Sequence, residues 1–507
     1  MTNPSSTSPL VAPAVPGLAG SAAVAVAVGA LATIAYLLLP RVEPHQFDIY
    51  WMLPKLLAGD LDYPRHPLAL HLADLVGRWT PGPTLHARLQ AGCAVAAGLG
   101  VAIATFAAIV WCGARARGAL AGLLFACLPA TVHHATVFEL HALSLPFFVA
   151  VVAGVVLWVR RPTTGFGAVV SLLGLSVLAA VATSAHATGH VHVLWLGAFV
   201  ALEARARGVG WMALVGVALL SAMTYLTGVF LIAWSVLPAG AAAPLRAQAE
   251  FVGGYVATWS GWLDVLGWEW LVPFAPVSVA VLWAARGRAA WRFAGPMLLA
   301  LAPLLFVCQR MLVLPEVGYV LGEMGAYQLP IGLGACLLVA SCTRTGWWPL
   351  LLGIAVAFSV WDRARPDKPP PDRAFGALAW QFADRLGDGH CTWLGDYDDY
   401  GGVFELGCTS LERSRQLPRF FCVRTGVLWA RHRPGMSAVE FGQLMHPATT
   451  GGTVHVLTEE ALARLRGEGG IFRELVDELL PQVFRLEPVE LGAVGPRVVR
   501  GVKLVPK

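Results

Sequence analysis

Apolar stretches of about 20 residues recur along two thirds of the chain, and each is long enough to cross a bilayer as a helix. The first is Gly17 to Leu39, followed by Ala91 to Cys112, Leu120 to Ala130 and His141 to Val159. Gly167 to Val181, His190 to Ala201 and Trp211 to Leu237 come next, then Leu271 to Ala285, Phe293 to Leu314, Gln328 to Cys342 and Trp347 to Trp361. That reading predicts about eleven spans, the shorter of them either crossing, re-entrant or half-buried. Composition agrees: 57% of the 507 residues are hydrophobic and 13% are charged. Charged residues make up about a quarter of an ordinary soluble domain. The sequence describes an α-helical polytopic membrane protein. Its net charge of +5 is spread over turns, so it gives no footprint for nucleic acid. The nine cysteines show no metal-ligand spacing, and several lie inside apolar runs as small core residues.

The charges order the spans. Arg115 and Arg117, Arg160 and Arg161, Arg205 and Arg207, and Arg286, Arg288 and Arg292 follow every second span. By the positive-inside rule these turns and the N-terminus are cytoplasmic, in an inner or plasma membrane. Histidines and carboxylates gather at the opposite, outer face. Residues 1–16 form a Ser/Pro/Ala-rich tail expected to be disordered, and 17–361 the transmembrane domain with an outer loop over 40–90. The first span lacks a cationic leader and a cleavage site, so it reads as an anchor. Residues 362–372 are a stiff Pro-rich linker, and 373–507 a small α/β domain placed outside. There Cys391 to Leu394 and Thr453 to Leu457 read as strands; Thr458-Glu459-Glu460 starts a helix, and Ile471 to Leu480 is another.

The outer loop carries the densest chemistry. It holds Asp48, Asp60, Asp62, Arg65 and His66, with Pro64 and Pro67 fixing its shape. A carboxylate there can serve as a general base, and Asp48 is the candidate. Glu139 sits beside His133, His134 and His141, where it would orient Asp48 or bind a metal. His186 and His190 stand four apart; on one helix they would share a face, as metal ligands with Glu139 or as a hydrogen-bonding pair. A divalent metal is thus the one cofactor left open. Arg310, at the outer end of its span, meets an anion or reaches for headgroups. Tyr255, Trp259, Trp262, Trp268 and Trp270 read as an aromatic belt at the membrane interface or as rings that stack on sugars.

Asp48, Pro64-Arg65-His66-Pro67-Leu68 and Phe138-Glu139-Leu140-His141-Ala142-Leu143 together resemble the GT-C membrane glycosyltransferases related to protein O-mannosyltransferases. The first two match that family's acidic first outer loop and its His-Pro-Pro-Gly-Tyr-Pro-Leu motif; the third matches its Glu-Val-Tyr-Ala-Leu. The stretch from Ser184 to Trp195, with His186, His190 and His192, is similar to the helix start that follows. The resemblance implies a GT-C-like fold and sugar transfer from a polyprenyl-phosphate donor to a protein, lipid or glycan acceptor. Asp48 and Glu139 would then be catalytic. Asp60, Asp62, Arg65, His66, His141, His190 and Arg310 would bind substrate. The chain departs from the pattern at Trp51, where the family has a second acid. Asp62, Arg65 and His66 stand for its His, Gly and Tyr. A catalytically silent scaffold in envelope assembly and a transporter are the competing classes, the latter disfavoured because the charges lie at helix ends. Asp396-Tyr397-Asp398 mimics a nucleotide-sugar motif on the wrong side of the membrane, and Asp396, Asp398 and Asp399 read as an acidic loop for acceptor or a hard cation. Cys391, Cys408 and Cys422 leave any disulfide pairing open.

Overall fold

The computed structural model describes residues 16–39, 52, 55–56, 59–82, 85–161, 165–238, 259–285, 288–314, 318–319, 324–342, 345–364, 391–395, 419–422, 454–468, 473, 475–494 and 497–507. Asp48, Trp51, residues 1–15, residues 365–372, the Asp396 loop and Cys408 lie outside the described residues, while residues 362–364, expected in the linker, continue the last helix.

The chain is a helical bundle followed by a small sheet. In order the helices are α1 (Leu18–Leu38), α2 (Ala69–Trp79), α3 (Leu85–Cys112), α4 (Arg115–Cys127), α5 (Pro129–Thr136), α6 (Leu140–Arg160), α7 (Phe166–Ala185), α8 (Gly189–Ala206) and α9 (Trp211–Val236). Then come α10 (Trp259–Leu266), running into a π-turn at Gly267–Leu271, α11 (Ala275–Ser278), α12 (Ala280–Ala284) and α13 (Arg288–Leu312). A two-residue hairpin, β1 (Val313–Leu314) with β2 (Gly318–Tyr319), precedes α14 (Leu329–Cys342) and α15 (Trp348–Ala364).

Six described helices are long and apolar enough to span a membrane, or up to eight if each bent pair counts as one. Among the described residues the shorter of the apolar runs are bent pairs or buried segments. Apolar runs were legible, but their length and straightness were not. Leu120 to Ala130 belongs to α4 and α5, which bend by 60° where Pro129 opens the second helix. The run around Leu271 to Ala285 is a pair bent by 105°, the form of a broken or re-entrant segment. α14 has 14 residues, about 21 Å of helix against a hydrocarbon core of about 30 Å, and it is buried in the bundle. α8 carries Glu203 and Arg205 near its end.

α3 is the hub, packing against α1, α4, α5 and α6. Small residues make this possible. A Cβ at Gly29 would stand 2.6 Å from Ala102 Cβ and 2.7 Å from Gly98 O, so α1 and α3 touch backbone to backbone. α9 is the opposite case. Only 6% of its apolar window is buried, leaving nearly the whole surface to lipid.

Four arginines, Arg115, Arg160, Arg207 and Arg292, lie at one end of the bundle. Arg115 reaches Gly17 O at 3.5 Å, Arg160 donates to Val110 O at 3.2 Å, and Arg292 pairs with Glu203 at 2.7 Å. Arg207 donates to Val159 O at 2.6 Å. These are the C-terminal ends of α3, α6 and α8 and the N-terminal ends of α1, α4 and α13. His86, His141 and His190 lie at the opposite ends of α3, α6 and α8, where Arg88 and Arg363 also lie.

The C-terminal sheet has the order β4-β3-β5-β7-β6, with β3 Cys391–Gly395, β4 Arg419–Cys422, β5 Val454–Thr458, β6 Phe484–Val494 and β7 Arg497–Pro506. β3 runs parallel to β4 and β5; β7 is antiparallel to both its neighbours. α16 (Glu459–Glu468) leaves β5 directly and packs on β5 and β7, giving the expected α/β character. The Ile471 to Leu480 segment forms a π-turn at Leu475–Leu479. In the sheet register Gly395 faces Cys422, so Cys391 is four residues, or about 13 Å, along the strand from it. A Cys391–Cys422 disulfide does not fit that register.

Gly29→Val should lower the thermal unfolding midpoint of the detergent-solubilised protein, at a cost of about 1–3 kcal/mol from overpacking. Gly216→Val, on lipid-facing α9 with nothing within 4 Å of the added atom, should leave it unchanged.

Candidate functional site

The described part of the outer loop is built by its own side chains. Gly59 takes φ +71, and Asp60 Oδ1 then accepts the Asp62 N–H at 3.1 Å. Lys55 Nζ closes the turn on Asp60 Oδ2 at 2.9 Å and on Asp62 O at 2.8 Å. The Lys55 hydrogen bond, with the Asp62 amide behind it, holds the Asp60 carboxyl below the usual range. Asp60, expected to bind substrate, therefore also shapes the loop.

Two proline turns follow. His66 N–H donates to Tyr63 O at 3.0 Å across Pro64, and Ala69 N–H donates to His66 O at 2.9 Å across Pro67. In each, proline occupies the second position, where its fixed φ suits a tight turn. The turns set the loop against the end of α7. Leu68 N–H donates to Ser184 O at 2.9 Å, and the Ala187 N–H donates to His66 Nδ1 at 2.9 Å.

His66 is thereby buried, 6% exposed, and stacked on His186 with ring centroids 4.2 Å apart and planes within 16°. His186 ends α7 in extended conformation, and its Nδ1 lies 2.9 Å from Thr188 Oγ1. On its other side, at 4.2 Å, is His141 in the first turn of α6. Tyr327, in the turn at Ala326–Gln328, packs on His141 at 5.1 Å and His186 at 5.6 Å. Its carbonyl accepts from His192 Nε2 at 3.0 Å, while Trp195 Nε1 donates to His192 Nδ1 at 3.2 Å.

Glu139, 1% exposed, is the N-cap of α6 and accepts the His141 N–H at 2.9 Å. A carboxylate suits that position, where helix amides lack partners and the dipole is positive. The stretch from Thr131 to Thr136 is helical, and His133 and His134 are buried in the bundle.

Of the expected site residues, the structure brings together His66, Glu139, His141 and His186. Arg65 lies beside His66 and contributes to its environment. His190 turns elsewhere, sharing a 2.7 Å hydrogen bond with the Tyr225 hydroxyl. The shared helical face expected of His186 and His190 is corrected: α7 ends before His186 and α8 begins at Gly189. Glu139, His186 and His190 thus do not converge as metal ligands. Among the described residues no three His, Cys, Asp or Glu are grouped to hold a metal ion. Position 310 falls in the last turn of α13.

Two participants carried no local signal. Tyr327 follows Met324 and Gly325, both left-handed at φ +46 and +74, and the buried Glu269 accepts the Gly325 N–H at 3.0 Å. Asp362, at the end of α15, meets His133 Nδ1 at 3.2 Å across 229 residues of sequence. Only the fold joins either to the site.

The fold is a helical domain with membrane-length helices followed by a small mixed sheet. No protein-family model matches the sequence, and no curated protein matches it. Among solved structures the chain is similar to ArnT from Cupriavidus metallidurans in the apo state. The TM-score is 0.54 at 14% identity, over 96% of this chain and 98% of that one. ArnT bound to undecaprenyl phosphate gives 0.52 at 13% identity, over 95% and 98%. The oligosaccharyltransferase AglB from Archaeoglobus fulgidus, in complex with an inhibitory peptide and a dolichol-phosphate, gives 0.50 at 10%, over 94% and 74%. At these identities the likeness is one of fold.

Burial is the largest cause of the depressed His66 and His186 pKa values, which lie well below the usual imidazole range. Arg65 and His141 add to it at His66; His66, His192 and Arg65 add to it at His186. A depressed folded-state pKa means that below about pH 6.5 the unfolded chain takes up protons that the folded one refuses. Stability should be full above that pH and fall as pH drops toward 5. In His66→Phe the pH slope should flatten. The unpaired Ala187 amide should cost about 1–3 kcal/mol at pH 7.5. Thermal unfolding across pH in detergent reads both.

Proposed function

We propose that this chain is a membrane glycosyltransferase moving a sugar from a polyprenyl-phosphate donor to an acceptor hydroxyl on the outer face of the membrane. The observation that carries the reading is the docking of the Pro64–Pro67 loop onto the ends of α6 and α7 within a GT-C fold. It gathers His66, His141, His186 and the Glu139 cap at one end of the bundle. In the solved structures of that fold, ArnT holds undecaprenyl phosphate and AglB a dolichol-phosphate. The quoted motifs favour the O-mannosyltransferase-like branch and a hexosyl donor.

The chemistry has two demands. The acceptor hydroxyl must lose its proton as its oxygen attacks the anomeric carbon, and the phosphate must leave with the bonding electrons. Asp48 is the general base in this reading, at the start of the loop that the prolines hold. Arg65 and Arg310 are the cations proposed for the phosphate, and Asp60 and Asp62 for the acceptor. The Arg115, Arg160, Arg205 and Arg286 turns face the cytoplasm, and the domain after Pro371 lies outside, where it would select the acceptor. Trp51 in place of the family's second acid keeps one competitor in play, a catalytically silent scaffold.

Transfer from a fluorescent polyprenyl-phosphate sugar by purified protein in lipid is the test. Asp48→Asn should lower the rate by about a hundred- to ten-thousand-fold with donor affinity largely kept. Glu139→Gln should be the next most damaging change, and Trp51→Glu should be tolerated or activating. Near wild-type turnover in Asp48→Asn would end its assignment as base and put the scaffold ahead.

A further inference from the structure

α2 carries three stripes, and the third points away from the bundle. Ala69, Leu70 and Ala73 are buried against Leu85, Leu89 and Cys93 of α3 and against Phe138, Leu140 and Leu143 at the start of α6. His71, Asp74 and Arg78, spaced three and four apart, make a polar stripe closed by an Asp74–Arg78 pair at 2.8 Å. Leu72, Leu75 and Trp79 repeat with the same spacing on the remaining side. Leu75 is 52% and Trp79 82% exposed, so an apolar stripe is left open.

The helix lies across the end of the bundle. At its start the Leu68 N–H donates to Ser184 O at the end of α7. In its last turn a Cβ at Gly77 would stand 2.7 Å from Leu85 Cδ1 at the start of α3. Its 11 residues, about 17 Å of helix, thus bridge the ends of two spans. The crossing has a definite depth. Val76 and Thr80 cover Gly92 of α3, where an added Cβ would collide with the Val76 side chain. On the same stripe of α3, about 4.5 Å and 10.5 Å further along, Val95 and Leu99 are 50% and 54% exposed on a span. From Gly92 to Cys112, at the end that holds Arg115 and Arg160, α3 rises about 30 Å, the thickness of a hydrocarbon core. α2 therefore crosses α3 at the edge of the hydrocarbon, and its open stripe continues the lipid-facing side of that span.

A stripe of this composition at this depth fits one occupant. Trp and Leu beside a charged stripe settle at the boundary of headgroups and acyl chains, where the indole ring is apolar and its N–H stays in reach of polar groups. A protein partner would need far more surface. Stable interfaces bury about 800 Å² a side, whereas one Trp covers at most about 250 Å², and only Leu75 joins it here.

We infer that α2 is an interfacial helix: Leu75 and Trp79 insert into the phospholipid boundary, and this contact holds the Pro64–Pro67 loop against α7. The loop and the helix are one continuous piece. Leu68 is the N-cap of α2 as well as the donor to Ser184 O, and the Ala69 N–H donates to His66 O at 2.9 Å. Lifting α2 from the boundary would draw His66 away from the Ala187 amide that it accepts at 2.9 Å. The inference stands apart from the sugar-transfer reading and needs no donor or acceptor.

The full-length protein in phosphatidylcholine–phosphatidylglycerol nanodiscs tests both halves. Phospholipids with a diazirine near the top or at the tip of one acyl chain are photolysed, and the adducts are mapped by mass spectrometry. The shallow probe should label Leu75 and Trp79, and the deep probe Leu99. Labelling of Leu99 with none on α2 would overturn the lipid contact, as would a crosslink joining α2 to a second copy of the chain. Hydrogen exchange at the Leu68 and Ala187 amides then reads the loop. In a folded Leu75→Glu, Trp79→Glu double variant both should exchange at least about tenfold faster, the factor expected when a Leu side chain loses its burial. Leu75→Phe with Trp79→Phe should exchange like the wild type. Unchanged protection in the Glu variant would overturn the holding role.

Discussion

Two hydrogen bonds tie the loop to the bundle: Leu68 N–H to Ser184 O, and Ala187 N–H to His66 Nδ1. Everything at the histidine end depends on them. They satisfy backbone groups at the end of α7, where helix carbonyls have no partner of their own. They also fix which nitrogen of His66 accepts, so that its ring is neutral and can stack flat on His186. The two prolines reduce the number of shapes the free loop can take, and so lower the entropy cost of holding this one.

A cluster of imidazoles in a bundle interior is stable only while it stays mostly uncharged. Burial pushes His66 and His186 toward the neutral form, and neighbouring rings and Arg65 push the same way. Two buried carboxylates, Glu139 and Asp362, lie beside these rings. Desolvation favours a cluster that is neutral at the loop.

Much of this was legible in the sequence, for physical reasons. Runs such as Leu18–Leu38 and Trp211–Val236 are apolar all round, and only a membrane or a deep core accepts that. Pro64 and Pro67 announced the turns because proline acts through its own φ. Glu139 before Leu140 could be read as a helix end. What stayed hidden needed the third dimension. Asp362 looks like the polar end of the last span until α15 packs against α5 and brings it to His133. Tyr327 sits in a turn whose left-handed Met324 and Gly325 are held by Glu269, a contact that no periodicity encodes. His186 and His190 had the right spacing for one helix, and the break after Ala185 sent their rings apart. A buried 14-residue helix is as apolar as one facing lipid, so hydropathy alone does not tell a short buried segment from a span.

The central claim is that the proline-held loop completes a binding place for a polyprenyl phosphate. Native mass spectrometry of the protein in nanodiscs doped with polyprenyl phosphate tests it directly, comparing wild type with a Pro64→Gly, Pro67→Gly double variant. The account predicts one lipid phosphate bound to the wild type and clearly weaker retention by the double variant at equal folded yield. Equal retention by both, or none by the wild type, would contradict it.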